Sequence, residues 1–163
     1  MQKCTGEIFN WLNSDDYYNP GALKTVAQIF FDQKVDVVCG KSTIFNNATS
    51  YVSEPSTWFD VQNNIAINPR INQPATFYKM TVIKELGSLN QNLHYCMDLE
   101  WWMKYLFKHG SSKVSKTEDV LVNFREHANS KTVSLAEKFI EDKCLLYGGI
   151  LAKKNNSKNT IGN

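Results

Sequence analysis

Apolar positions along the chain fall into short blocks whose period changes from one block to the next. Glu7 to Leu12 (EIFNWL) reads as a short strand, and Asn13 to Asn19 reads as a polar turn. Pro20 then opens a helix with Asn19 as its N-cap, and Leu23, Val26, Ala27 and Phe30 mark the helix's apolar face. The next block, VDVVCG from Val35 to Gly40, is a β-branched run that ends in glycine, as expected of a buried strand after a helix. Strand, helix, strand is a βαβ unit, which places the chain in the α/β class.

From Lys41 to Asn68 the pattern turns polar and aromatic, and strands or loops crossing the open face of the sheet are expected there. Helical spacing returns over Lys79 to Leu86 and again over Asp98 to Lys108, where His109 and Gly110 supply a C-cap. Val120 to Phe124 forms a strand-like core. Ser134 and Glu137 fit a capping box, and Leu135, Phe139, Leu146 and Ile150 give the following helix an apolar stripe. A single domain over 1–152 and a polar, flexible tail over 153–163 follow from this pattern, with no internal repeat.

Composition narrows the picture by exclusion. A chain of 163 residues with 42% hydrophobic content can bury a sizeable core. Eighteen basic against sixteen acidic side chains leave a formal charge of +2, and the basic residues are scattered, so a nucleic-acid partner is not expected. No apolar run approaches the roughly 20 residues of a membrane span, and the N-terminus lacks the apolar core of a secretory signal. A cytoplasmic protein is expected, with a peripheral position at the inner face of the membrane as its variant. Cys4, Cys39, Cys96 and Cys144 lie far apart, build no zinc pattern, and are expected as reduced, mostly buried thiols.

The chemistry concentrates in three motifs. The first is NSDDYYNPGAL, in which Asp15 and Asp16 stand between the first strand and the first helix. Two adjacent carboxylates repel each other, so they mark a solvated turn whose side chains bond backbone amides, or a site that captures a cation. The second runs from Ile71 to Leu106 and contains Gln-Pro-Ala-Thr-Phe, a helix ending in Gly-x-Leu, and Met-Asp-x-Glu-x-Trp. The third is FREHANSKT, from Phe124 to Thr132. In this order, from Gly6 to about Thr132, the motifs resemble the family 2 glycosyltransferases of the GT-A type.

The resemblance implies a partial GT-A fold, with a small mixed sheet flanked by helices, and metal-assisted, inverting transfer of a sugar from a nucleotide-sugar donor to an acceptor hydroxyl. A role in surface polysaccharide or glycan synthesis follows from the same resemblance, with a UDP-sugar as expected donor and a carbohydrate or lipid-linked acceptor. Asp15 is implied at the nucleotide ribose or the metal, and Asp16 at a Mg²⁺ or Mn²⁺ ion that bridges the diphosphate, since hard oxygen ligands suit those ions. Asn13 departs from the pattern, because many relatives carry Asp there. Asp98 is the implied general base, taking the acceptor's hydroxyl proton, and it is equally suited to cap the helix that follows. Lying at a helix N-terminus should lower its basicity, so closeness to the acceptor would matter more than a raised pKa.

Trp101 and Trp102 point in different directions on a helix, so at most one, taken as Trp101, is expected to stack on a sugar, with core packing the alternative for each. Gln73 and Thr76 either hydrogen-bond sugar hydroxyls or close a turn beside Pro74. Arg125 and His127 suit the diphosphate or the metal, with a surface histidine as the alternative. The family's domain normally begins with strands that hold the nucleobase, so the chain reads as the C-terminal part of a catalytic domain. With that half missing, the first strand would be an open edge, and a homo-oligomer or a non-catalytic binding or oligomerising remnant is the competing expectation.

Overall fold

The computed structural model describes residues 4–57 and 70–127, together with residues 138, 141–143, 145, 146 and 149 of a C-terminal helical segment. Six strands, β1 (Ile8–Asn10), β2 (Tyr17–Tyr18), β3 (Val37–Phe45), β4 (Ser50–Ser53), β5 (Thr76–Lys79) and β6 (Val114–Arg125), form one sheet in the order β1-β5-β3-β6-β2, and β4 pairs with β3. β3 runs parallel to β6, while β5 is antiparallel to both β1 and β3. The carboxyl ends of β1, β3 and β6 therefore face the same side of the sheet.

Among the described residues, helices α1 (Ala22–Gln33), α2 (Met80–Leu86) and α3 (Met97–His109) cover the two faces. The strand period of two sorts the side chains between them. Val38 and Phe77 pack on Ala22, Val26 and Phe30 of α1, whereas Val37, Cys39 and Tyr78 pack on α2 and α3. The first four residues of β3, Val37 to Gly40, are buried on both faces and uniformly apolar, as VDVVCG suggested. Cys39 is fully buried, and desolvation pushes its thiol up to about 12, which suits packing and not nucleophilic chemistry.

A register break between β3 and β6 gives Gly40 its purpose. Cys39 pairs with Lys116 and Lys41 with Val120, so β6 carries extra residues opposite Gly40. The bulge brings Leu121 over the glycine: a Cβ at position 40 would meet Leu121 Cδ1 at 2.3 Å.

Several expectations are corrected. α1 begins at Ala22 behind Gly21 at φ 84°, not at Pro20 behind Asn19. The Asn19 side chain is engaged elsewhere, donating to the Val120 carbonyl at 2.7 Å and accepting from Asn123. Leu23 is 55% exposed and Ala27 is exposed too, because the helix meets the sheet along Ala22, Val26 and Phe30. The polar turn contains the short strand β2, and Thr76–Lys79 is a strand that precedes α2. The segment after Gly40, expected as strands or loops, takes the strand form: it continues β3 to Phe45 and returns as β4. Ser134, Leu135, Glu137, Phe139, Cys144, Ile150 and the 153–163 tail lie outside the described residues. No described helix is long and apolar enough to cross a membrane.

Candidate functional site

The Asp-bearing turn leaves β1 at the side where β6 also ends, and the two are stitched together. Asp16 Oδ1 accepts the Arg125 backbone N–H at 3.0 Å, Asp16 Oδ2 accepts from Asn13 Nδ2 at 3.1 Å, and the Asp16 N–H donates to the Asn13 carbonyl at 3.2 Å. Two residues beyond Arg125, His127 Nε2 lies 3.3 Å from Asp15 Oδ2. The structure thus gathers Asp15, Asp16, Arg125 and His127 where the first and third motifs meet. Asn13, which departs from the family's Asp, here serves as a donor to Asp16.

The two carboxylates are not equivalent. Asp16 is buried, at 8% exposure, and its oxygens hold the turn against β6. Burial raises its pKa, the bonds from Arg125 and Asn13 oppose the rise, and the neighbouring Asp15 charge adds to it. Asp15 and His127 keep side-chain exposures of 36% and 46% and, with the exposed Arg125, are the open members of the group. Asp16, the residue implied at the metal, is thus the more buried of the pair. The donor set fits a hard divalent ion: two adjacent carboxylates, one of them partly desolvated, would gain from a cation, and Mg²⁺ keeps several waters and needs few protein ligands. Among the described residues no three His, Cys, Asp or Glu side chains form a complete cage, so substrate oxygens would share the coordination.

The Gln-Pro-Ala-Thr segment braces this turn from behind. Gln73 Nε2 donates to the Trp11 carbonyl, just past β1. Asn10 Nδ2 donates to the carbonyls of Pro74 and Thr76 at 3.0 and 2.9 Å. Thr76 is 1% exposed, its hydroxyl donating to the Asn72 carbonyl at 2.7 Å beside Ser56 Oγ, also at 2.7 Å. Both residues close local structure, the second of the two roles weighed for them. Asn72, Ser42 and Ser56 complete a buried polar network that sequence reasoning missed, since isolated Ser and Asn carry no pattern.

Asp98 lies in the first turn of α3. Cys96 occupies the N-cap position, because the Glu100 N–H already reaches the Cys96 carbonyl at 3.0 Å. The Leu99 N–H donates to Asp98 Oδ1 at 2.7 Å. The residue keeps some exposed surface, yet its carboxyl is largely desolvated, and desolvation outweighs the bonds from the Leu99 and Asp98 backbone to push it to about 6. The expected loss of basicity is therefore reversed. One turn on, Trp101 is 3% exposed, donates from Nε1 to the Gly87 carbonyl at 3.2 Å, and meets Phe9 and Trp11 edge to face. Its ring is walled in by the core, as is Trp102, so neither presents a face for sugar stacking. Through Trp11, however, Trp101 ties the start of α3 to the strand that leads into the Asp pair.

The profile of glycosyl transferase family 2 matches residues 1–105. The chain belongs to glycosyltransferase family 2. Curated relatives of this family 2 chain include uncharacterised glycosyltransferases of Rickettsia typhi and Rickettsia prowazekii, 27% and 26% identical over 94% of the chain. It spans 50% of the length of each of them. Solved structures of S. aureus TarS resemble the family 2 chain in fold. One, in complex with UDP-GlcNAc, covers 89% of this chain with 43% of its own at a TM-score of 0.65 and 20% identity. Another, with UDP, gives 0.61 at 21% identity, using 41% of its own length. The mixed sheet between helix layers is thus of the GT-A type, as the motifs implied.

Proposed function

We propose that this chain carries the diphosphate-facing and acceptor-activating side of an inverting transferase that moves a sugar from a nucleotide donor, a UDP-sugar, to a hydroxyl of a carbohydrate or lipid-linked acceptor. The observation that carries the reading is the meeting of Asp15, Asp16, Arg125 and His127 at one end of β1 and β6. Asp15 and His127 face the donor's diphosphate, and Asp16 holds their turn in register with β6. A bound Mg²⁺ or Mn²⁺, held by Asp15 and His127 with Asp16 behind them, would neutralise charge on the departing diphosphate. Asp98, with a pKa raised to about 6, is ionised at neutral pH and basic enough to accept the acceptor's proton. That the solved TarS complexes hold UDP-GlcNAc and UDP supports a uridine nucleotide as ligand. Surface polysaccharide synthesis at the cytoplasmic face of a membrane is the setting we infer.

Calorimetric titration with UDP in the presence and absence of Mn²⁺ tests the reading. Binding that needs the ion and disappears in Asp15→Ala is expected, whereas equal binding by wild type and variant would remove the Asp pair from the site. A second reading, an oligomerising domain, draws on β1 at the end of the sheet order and on Phe31 at 80% exposure. Light scattering separates them: a stable monomer that binds UDP and Mn²⁺ supports the first.

A further inference from the structure

The ten-residue stretch between α2 and α3, Gly87 to Cys96, delivers the chain to Asp98; Leu93 and Cys96 pack it into the core, and side-chain hydrogen bonds fix its backbone. Among the described residues, Trp101, Glu100 and Asp142 bond its backbone from outside. The Trp101 indole N–H donates to its first carbonyl, that of Gly87, and Glu100 Oε2 accepts the Asn90 N–H at 3.0 Å. The third comes from far along the chain: Asp142 Oδ2 accepts the N–H groups of both His94 and Tyr95, at 2.8 and 2.6 Å. Asp142 is 6% exposed, and Leu146, one turn further on, is 5% exposed and packs in the core of α2 and α3. Residues 138, 141, 145 and 149 are exposed, so the helical segment docks by one stripe, with an apolar anchor and a carboxylate side by side.

A buried carboxylate that takes two successive backbone donors fixes both position and direction of the backbone it holds, because charge-assisted bonds are about twice as strong as neutral ones. Tyr95 stands only three residues before Asp98. We propose that Asp142 is a positioning residue for Asp98: the C-terminal helical segment, beyond the 1–105 family match, sets the base's placement by clamping the turn that leads into α3. The proposal rests on the reading of Asp98 as base. Tyr78 from β5 and Cys96 from the turn lie close enough to Asp98 to feel its charge, and Asp142 and Lys143 act on the same Cys96. Asp98 owes its high pKa first to desolvation, so loosening the turn admits water and lowers it.

The test is the titration of the Asp98 carboxyl in the whole chain, followed by carbon-13 NMR and assigned by its disappearance in Asp98→Asn. Asp142→Asn and Asp142→Ala remove the same charge, but only the amide can still accept from His94 and Tyr95. The Asp98 midpoint should fall from about 6 toward the ordinary aspartate value, further in Asp142→Ala than in Asp142→Asn, while the His94 and Tyr95 amides lose hydrogen-exchange protection. In the active enzyme kcat should drop on the order of 10- to 100-fold with KM little changed, and the acidic limb of kcat should move to lower pH. Equal shifts in the two variants would mean action through charge alone, and freed amides with an unmoved midpoint would mean a purely local clamp. Either outcome overturns the proposal, and should Asp142→Ala not fold, the second is read in Asp142→Asn. If Asp98→Asn keeps full turnover while the Asp142 variants still move the midpoint, the base reading fails and the coupling stands.

Discussion

Replacing Asp98 by asparagine should make the protein more stable, and only above a defined pH. The carboxyl's pKa is raised from 3.8 to about 6 by burial, so the folded state holds the proton more tightly than the unfolded chain does. Its stabilising contribution is complete below the unfolded value, declines as pH rises between the two values, and is gone above about 6. A rise of about two units, at ~1.4 kcal/mol per unit, sets a ceiling of about 3 kcal/mol, and residual solvent contact brings the expectation to about 1.5–3 kcal/mol. Asparagine keeps the shape and still accepts the Leu99 N–H, so it removes the ionisation penalty and little else. Urea unfolding of both proteins at intervals from pH 4 to pH 8 should give curves that coincide near pH 4 and separate in favour of Asp98→Asn above pH 6. Equal stability at every pH, or a variant weakened above pH 6, would show that the Asp98 carboxyl is well solvated or compensated. In an active enzyme the same substitution should cut turnover by roughly 100-fold or more, so the stabilised variant would be the impaired one.

Gly40→Ala should destabilise the fold by about 1–3 kcal/mol in denaturant titrations, since Leu121 Cδ1 stands 2.3 Å from the new Cβ and must leave its rotamer. Asp15→Ala should abolish ion-dependent UDP binding at unchanged thermal stability, whereas Asp16→Ala should also lose about 1–3 kcal/mol, measured by denaturation, because it orphans the Arg125 N–H. Trp101→Ala should cost about 3–5 kcal/mol of stability as a core truncation, and a variant that kept its stability but lost only sugar affinity would restore the stacking role.

What the sequence made legible were the elements whose evidence is periodic. Val35 to Gly40 announced a strand covered on both faces, and Asp98 to Lys108 a helix with a glycine end, because burial repeats at the strand or helix period. β2 escaped, and β4 fell in a segment read only as strands or loops, both being short and owing their existence to partners on β6 and β3. The start of α1 was misplaced because Asn19 had two suitors, a helix end and β6, and only the tertiary fold shows which prevailed. The site divides in the same way. Asp15, Asp16, Arg125 and His127 were readable as motif residues, and the fold brought them together. Trp101 and Thr76 have surface chemistry but core positions, and Asp142 acts across the fold with no local signature.

The parallel pairing of β3 with β6 joins Val37 to Val114, and this has consequences for how the protein is made. While about 80 residues remain to be synthesised, at about 5–20 residues per second, the most apolar strand of the sheet waits for roughly 4–15 s with its β6 side unpaired. An unpaired apolar edge is a template for other chains. A ribosome-bound intermediate that ends before Val114 is the stage at which a chaperone would do most good, and expression that outruns the arrival of β6 should turn native sheet into inclusion bodies.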